Sequence, residues 1–242
     1  MSAPLIKIIL VRPRNPDNIG AAARAMANFG LSELALVNAF DSDWKEAALA
    51  WRREASVSAI DSMEIVDGAK IYSAIPEAAQ DCAVLFGTSS LHRLKSERDV
   101  VLLSDAAGLI ARSGGKAGIL FGSEKTGLTK EELSFCSAVI NIPTRERQPS
   151  MNLGQAVAVV AYELSARAGG RPLAGRKSAP EAPPREIELV VAKIRARLTR
   201  EHGEHWGEEA QVRAIRRGLL DARLTKNAMN ALNLLLKEKS DL

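Results

Sequence analysis

The sequence has little of what marks several common protein classes. It holds two cysteines, three histidines and ten aromatic residues among 242. Cys82 and Cys136 stand at the edges of predicted strands, where each fits best as a small buried apolar residue. Without a Cys/His cluster, we expect no structural zinc site and no other bound metal. The sparse aromatic residues are not interleaved with basic ones, which argues against an RNA-binding sheet that stacks bases.

Long apolar runs are also missing. No segment approaches the roughly 18 to 20 apolar residues that a membrane-spanning helix needs. The first residues, 1–11, are short and strand-like, unlike a secretory signal peptide. We therefore expect a cytoplasmic protein with no membrane partner, and its apolar fraction of 46% is ordinary for a globular chain.

Two nucleotide-binding motifs can be excluded. Gly122 and Gly127 have the spacing of the opening of a phosphate-binding P-loop, but Leu128 stands where that motif requires its phosphate-binding lysine, before Thr129. The G-x-G-x-x-G motif of dinucleotide-binding folds does not occur in the sequence. The glycine loop, residues 122–128, is thus suited to backbone recognition of another ligand, unless it is an ordinary turn.

Strand and helix patterns alternate over residues 1–168. Apolar runs predict strands at 5–11, 33–37, 64–66, 83–88, 117–121 and 138–142. Helical patterns cover 19–29, 44–59, 73–79, 99–113 and 152–167, with a short helix opened by a Thr129–Glu132 capping box. This alternation predicts an α/β fold with a mostly parallel sheet and helices on both faces.

The composition changes after residue 168. Residues 169–185 are rich in Gly, Pro and Ser and are typical of a linker. Residues 186–242, the C-terminal extension, carry three helical patterns near 185–200, 208–220 and 225–237. Residues 1–168 hold 18 Lys and Arg against 19 Asp and Glu, whereas residues 169–242 hold 15 against 10. A basic extension on a near-neutral domain indicates an acidic partner, RNA or DNA first, or simply a solvated helical surface.

Polar loops follow several of the predicted strands. Ligands of open α/β sheets bind outside the carboxyl ends of the strands. The glycine loop and residues 144–150 follow two such strands, and Arg12, Arg14, Asn15 and Asn18 follow the first. Arginine side chains and helix N-termini bind phosphate well. Arg24 stands alone in a helix of small residues, either as a surface residue or pointing into this site.

Three segments together carry a family resemblance: Asn18 to Ala25, Phe121 to Leu128, and Ser150 to Val157. In their order and separation they are similar to the three motifs of the SpoU-type RNA 2′-O-methyltransferases of the SPOUT superfamily. The chain looks most like the TrmJ branch, which methylates a ribose at position thirty-two of the tRNA anticodon loop. The resemblance covers residues 1–168 well and the extension more loosely. Met151 stands where the family usually has leucine.

The resemblance implies properties that the patterns did not show. The sheet would end in a trefoil knot, with the chain between Gly122 and Asn152 threaded through a loop. The protein would be a homodimer, with the helix of small residues and the last helix of the domain at the interface. S-adenosylmethionine would be the cofactor and tRNA the substrate. Residues 1–168 would then be the methyltransferase domain.

The resemblance also assigns residues. The catalytic candidates are Arg24, Asn18, Ser150 and Asn152. The cofactor-binding candidates are Thr88, Ser89, Gly122, Ser123, Glu124, Gly127, Leu128, Ile142, Ser150, Met151 and Leu153. The RNA-binding candidates are Arg12, Arg14, Arg93, Lys125, Arg145 and Arg147. Glu124 would tie the glycine loop to Arg24 or to a neighbour, unless it is an exposed loop carboxylate.

Two other functions remain open at this stage. An rRNA 2′-O-methyltransferase would carry the same motifs. A non-catalytic RNA-binding protein with the same fold is the second alternative, although Arg24, Glu124, Ser150 and Asn152 argue against it.

Overall fold

A computed structural model describes residues 5–39, 45–90, 97–166 and 181–236. Seven parallel strands form one sheet: β1 (Ile6–Val11), β2 (Glu33–Val37), β3 (Lys70–Tyr72), β4 (Val84–Thr88), β5 (Val100–Leu102), β6 (Ala117–Phe121) and β7 (Ala138–Asn141). Ten α-helices are found in the described ranges: α1 (Pro16–Asn28), α2 (Lys45–Ala55), α3 (Met63–Gly68), α4 (Ile75–Ala78), α5 (Leu103–Ser113), α6 (Lys130–Ser134), α7 (Leu153–Ala161), α8 (Pro184–His202), α9 (Glu209–Asp221) and α10 (Lys226–Leu235).

The strand order differs from the sequence order. It is β3-β2-β1-β6-β4-β7-β5, and every pair is parallel. The carboxyl ends of β1, β6, β4 and β7 therefore meet at one edge of the sheet, which we call the carboxyl edge. The loops that follow these four strands lie side by side there, although they are far apart in the sequence.

Both faces of the sheet are covered. In β1, Ile8 and Leu10 enter one hydrophobic cluster, while Ile9 and Val11 enter another. Side chains that alternate along a strand point to opposite faces, so these clusters are the two layers of the core. Helices α1, α2, α5 and α7 contribute to the first cluster, and α4 and α6 to the second. The predicted α/β fold with helices on both faces is confirmed.

Small residues allow the helices of the first layer to approach closely. A Cβ atom on Gly20 would lie 2.1 Å from the backbone oxygen of Ala55 in α2. A Cβ atom on Gly154 of α7 would lie 2.7 Å from the Cβ of Ala21. The small residues of α1 thus serve packing within this chain.

Two predicted elements were wrong. Residues 64–66 form part of α3, and the strand follows at β3. A short apolar run such as Ile65–Val66 fits a buried helix turn as well as a strand. The helix predicted from residue 99 begins only at Leu103, because residues 100–102 pair with β7 as the edge strand β5. That pairing depends on a neighbour almost 40 residues away, which a local pattern does not reveal.

The C-terminal extension forms a small three-helix unit. Its core contains buried Ile187, Val190, Val191, Leu220 and Met229. Helix α8 begins at Pro184, so the last two residues of the predicted linker are helical, whereas residues 167–180 lie outside the described ranges. The described helices include none with both the length and the apolarity to cross a membrane.

Both cysteines are free and buried, as predicted. Burial raises the pKa of the Cys82 thiol and of the Cys136 thiol to about 12. Neither is therefore a nucleophile at neutral pH.

Candidate active site

A cavity of about 550 Å³ opens at the carboxyl edge. All eleven residues predicted to bind a cofactor line it. They come from the end of β4 and the loop after it, the loop after β6, and the segment from the end of β7 to the start of α7. Seven further residues complete the wall: Ser90, Phe121, Lys125, Thr126, Thr144, Pro149 and Ala156. Apart from Lys125, these had not been predicted as site residues, although each lies within a few positions of one that had.

The glycine loop forms one wall of this cavity. The Gly127 N–H donates a 2.7 Å hydrogen bond to the Ser123 carbonyl, and Gly127 has a left-handed φ of 68°. A Cβ atom on Gly122 would lie 2.1 Å from the Gly127 carbonyl carbon and 2.2 Å from the Leu128 nitrogen. The two ends of the loop thus touch backbone to backbone, which only glycine at position 122 permits.

Arg12 holds this loop from outside. Its Nε and Nη2 atoms donate to the two carboxylate oxygens of Glu132 at 2.7 and 3.0 Å. Nη2 also donates to the Gly127 carbonyl at 3.1 Å, and Nη1 to the Thr126 hydroxyl at 3.3 Å. A two-pronged pair of this kind fixes geometry as well as charge. Arg12, predicted as an RNA contact, is thus engaged with the protein in this structure.

Glu124 connects the glycine loop to the segment after β1. Its carboxylate accepts from the backbone N–H groups of Arg14 and Asn15 at 3.1 and 3.3 Å. It also accepts from Nδ2 of Asn18 at 2.9 Å. Glu124 thus ties the glycine loop to a neighbouring segment, as expected, and its partners are these three groups.

Asn18 and Asn152 extend the connection to the third motif. Nδ2 of Asn152 donates to Oδ1 of Asn18 at 2.9 Å. Oδ1 of Asn152 caps α7 by accepting from the N–H groups of Gly154 and Gln155 at 2.9 and 3.4 Å. A continuous path of hydrogen bonds, from Glu124 through Asn18 to Asn152, therefore joins the three motif segments.

Arg24 lies apart from this path. It is exposed on α1 and does not line the cavity. It follows Asn18 by six residues, which is about 9 Å along a helix axis. Ser150, the remaining catalytic candidate, lies in the cavity wall.

Four of the predicted RNA contacts are exposed basic side chains on the loops at the carboxyl edge. Arg14, Lys125, Arg145 and Arg147 are all exposed, and Lys125 also lines the cavity. The loop that carries the last two is closed by a 3.0 Å hydrogen bond from the Thr144 hydroxyl to the Pro149 carbonyl. Arg93, the sixth predicted RNA contact, lies outside the described residues.

The chain is similar to known RNA methyltransferases. Residues 5–162 match the model of the SpoU rRNA Methylase family. The tRNA (cytidine-2′-O-)-methyltransferase TrmJ of Methanocaldococcus jannaschii is 36% identical over 162 residues, which cover 66% of this chain and 67% of that protein. The tRNA (cytidine/uridine/adenosine-2′-O-)-methyltransferase TrmJ of Pseudomonas aeruginosa is 34% identical over 164 residues, covering 66% and 60%.

The structural comparison reaches into the C-terminal extension. A crystal structure of TrmJ from Z. mobilis ZM4 superposes with a TM-score of 0.81 at 30% identity. The superposition covers 96% of this chain and 97% of that one. By sequence, in contrast, the chain spans only about three-fifths to two-thirds of the two TrmJ proteins above.

Proposed function

The chain belongs to the SpoU rRNA Methylase family, and we propose that it transfers a methyl group from S-adenosylmethionine to a ribose 2′-hydroxyl of tRNA. The family predicted from the three motifs is thereby confirmed. The observation that carries the proposal is the hydrogen-bonded path Glu124–Asn18–Asn152, which brings the three motifs together beside one cavity. The TrmJ names of its relatives favour tRNA, and we extend this to position thirty-two of the anticodon loop.

The cavity fits a cofactor of this kind. Its volume of about 550 Å³ lies in the usual range of roughly 300 to 1,000 Å³ for small-molecule sites. The missing side chain at Gly122 allows the two ends of the glycine loop to meet in the cavity wall, and Leu128, Ile142 and Leu153 line the cavity with apolar side chains. Together with the other predicted cofactor-binding residues, these would hold the cofactor. When bound, it supplies a methyl group already activated by a sulfonium charge.

The chain's own residues would align and activate the ribose. Asn18 is held between Glu124 and Asn152, so its amide is fixed before substrate arrives. Arg24 would bind the phosphate beside the target ribose and stabilise the developing alkoxide. Arginine is normally charged and is a poor base, so a direct proton transfer to Arg24 is the less favourable role. Ser150 and Asn152 would orient the substrate and the loop by hydrogen bonds.

Two features of the family remain proposals for this chain. A trefoil knot is supported by the position of β7, which comes after β6 in the sequence but inserts between β4 and β5. A homodimer built on α1 and the last helix of the domain is supported by Tyr162, the residue after α7. Its ring centroid lies 5.6 Å from that of Phe29, yet Tyr162 is 48% exposed in the single chain. Such a dimer would bring Arg24 towards the partner's cavity. A cytoplasmic location also stays a prediction.

The role of Arg24 is tested by Arg24→Ala in a methyl-transfer assay with labelled cofactor and a tRNA transcript. We expect at least a hundredfold loss of transfer, with the Kd for S-adenosylmethionine unchanged by calorimetry, since Arg24 does not line the cavity. Arg112→Ala, an exposed arginine in the last turn of α5, is the matched control and should transfer normally. Equal transfer by Arg24→Ala and the wild type would remove Arg24 from the mechanism.

The alternatives make different predictions in the same experiment. An rRNA 2′-O-methyltransferase would label ribosomal RNA and leave tRNA unlabelled. A non-catalytic RNA-binding protein would bind tRNA without binding the cofactor. Mass mapping of the methylated nucleotide tests the assignment to position thirty-two.

A further inference from the structure

Helix α6 lies between the glycine loop and the C-terminal extension. It begins two residues after Leu128, which belongs to the cavity wall. Its neighbouring glutamates bind different parts of the protein: Glu132 pairs with Arg12 beside the glycine loop, and Glu131 pairs with Arg216 of the extension. The five-residue helix α6 therefore contacts both Arg12 beside the glycine loop and the C-terminal extension.

The contacts on the loop side leave α6 little freedom relative to the loop. One oxygen of Glu132 accepts from the Thr129 N–H at 2.7 Å, which completes the capping box. The same carboxylate holds Arg12, which in turn reaches the Gly127 carbonyl. The Glu132 side chain is only 14% exposed, so water competes weakly for these bonds.

The contacts on the extension side come from a buried arginine of α9. Nη1 of Arg216 donates to Glu131 at 3.0 Å and to the Ser134 hydroxyl at 2.7 Å. Its Nε and Nη2 atoms donate to Glu188 of α8 at 2.7 and 3.2 Å. The guanidinium also lies 4.0 Å over the Phe135 ring. A buried charge with this many partners fixes the relative positions of the elements that it joins.

We propose that the C-terminal extension sets the position of the glycine loop through α6, with Arg216 as the positioning residue. A helix of five residues has almost no stability of its own. Beyond Leu133, which is buried in the second core layer, its place depends on the side chains on both sides of it, and a change on one side displaces the other. This inference rests on the proposed function only where cofactor affinity is the readout.

The test is Arg216→Met, which keeps most of the side-chain volume and removes the charge. We expect the calorimetric Kd for S-adenosylmethionine to rise at least about fivefold, the lower end of typical coupling between sites. Hydrogen exchange should also become faster in the ligand-free protein at residues 123–128, where the Gly127 amide is bonded to Ser123.

Asp221→Asn is the matched control. Asp221 pairs at 3.0 Å with Arg98, a second buried arginine that joins the domain to the extension near Ser137, beyond the end of α6. Asp221→Asn weakens the interface between the domain and the extension without changing a contact of α6. The Kd for S-adenosylmethionine and the hydrogen exchange of the glycine loop should therefore stay at the wild-type values.

Two outcomes would overturn the inference. Wild-type affinity and exchange in Arg216→Met would overturn it, and so would equal changes in Arg216→Met and Asp221→Asn, because general loosening would then suffice. Should Arg216→Met fail to fold, Glu131→Gln takes its place, since it leaves the Arg216–Glu188 pair intact. Failure of the wild type to bind the cofactor would refute the proposed function, and loop exchange alone would then decide this inference.

Discussion

The contact inside the glycine loop gives a sharp prediction for Gly122→Ala. Gly122 does not have a left-handed backbone conformation, so an alanine there is opposed by contact alone. Its Cβ would lie 2.1 Å from the Gly127 carbonyl carbon, whereas ordinary contact begins near 3.4 Å. The backbone of Gly127 and Leu128 must therefore move away by more than about 1 Å, and these residues form the cavity wall.

The size of the effect on cofactor binding follows from the strain of returning the cavity wall to its original position. Overpacking by one methyl group costs about 1 to 3 kcal/mol, a figure that includes the shifts it forces on its surroundings. The ligand-free variant takes up the added methyl group by displacing the loop, and we expect a cost of the same size when the ligand requires the original geometry. The Kd for S-adenosylmethionine should thus rise by about five- to a hundredfold. Methyl transfer should fall further, because a misplacement of about 1 Å costs about a hundredfold in rate.

Calorimetric titration with S-adenosylmethionine measures the first effect, and urea unfolding serves as the stability check. Gly218→Ala in α9 is the matched control: nothing lies within 4 Å of its added Cβ. This control should bind the cofactor normally and gain about 0.5 to 1 kcal/mol of stability from helix propensity. Wild-type affinity in Gly122→Ala would refute the claim that the backbone contact at this loop shapes the cofactor site.

Two further predictions concern stability. Asp81 accepts hydrogen bonds from Lys7 and Lys116 near the amino-terminal ends of the strands. Burial by itself raises the pKa of the Asp81 carboxyl, but these hydrogen bonds outweigh it and lower the pKa from 3.8 to about 2. The Asp81 carboxylate therefore stabilises the fold above about pH 4, and that contribution is lost as the pH falls towards 2. Since the Asp81 side chain is 44% exposed, we expect it to contribute only about 1 kcal/mol to the free energy of unfolding. Urea unfolding should show this loss in Asp81→Asn at pH 7 and no loss at pH 2. An equal difference at both pH values would contradict this assignment. Thr129→Ala removes the N-cap of α6 and Thr225→Ala removes the N-cap of α10, and each should lower the free energy of unfolding by about 1 kcal/mol. Only Thr129→Ala should speed hydrogen exchange in the glycine loop. Identical exchange in both variants would contradict the link between α6 and the loop.

Local signals in the sequence were sufficient to predict most of the helices and strands. The Thr129–Glu132 capping box is present as predicted, because both partners lie within one helical turn. The strands β1, β2 and β6 and the three helices of the extension were recognised from their apolar periodicity, which reflects burial on one side or on both. Errors occurred at α3 and β5, where a short segment takes its conformation from its neighbours in the fold.

The sequence by itself determined the family and most of the residues around the cavity, since three motifs in order carry more information than any one of them. Only the tertiary structure decided how those residues are connected. Glu124 binds Asn18, Arg12 binds Glu132, and Arg216 binds Glu131, with each pair separated by more than 80 residues. The first two pairings follow from a strand order that places β6 beside β1, and the third follows from the packing of the extension against α6. No local rule of chain geometry encodes either arrangement.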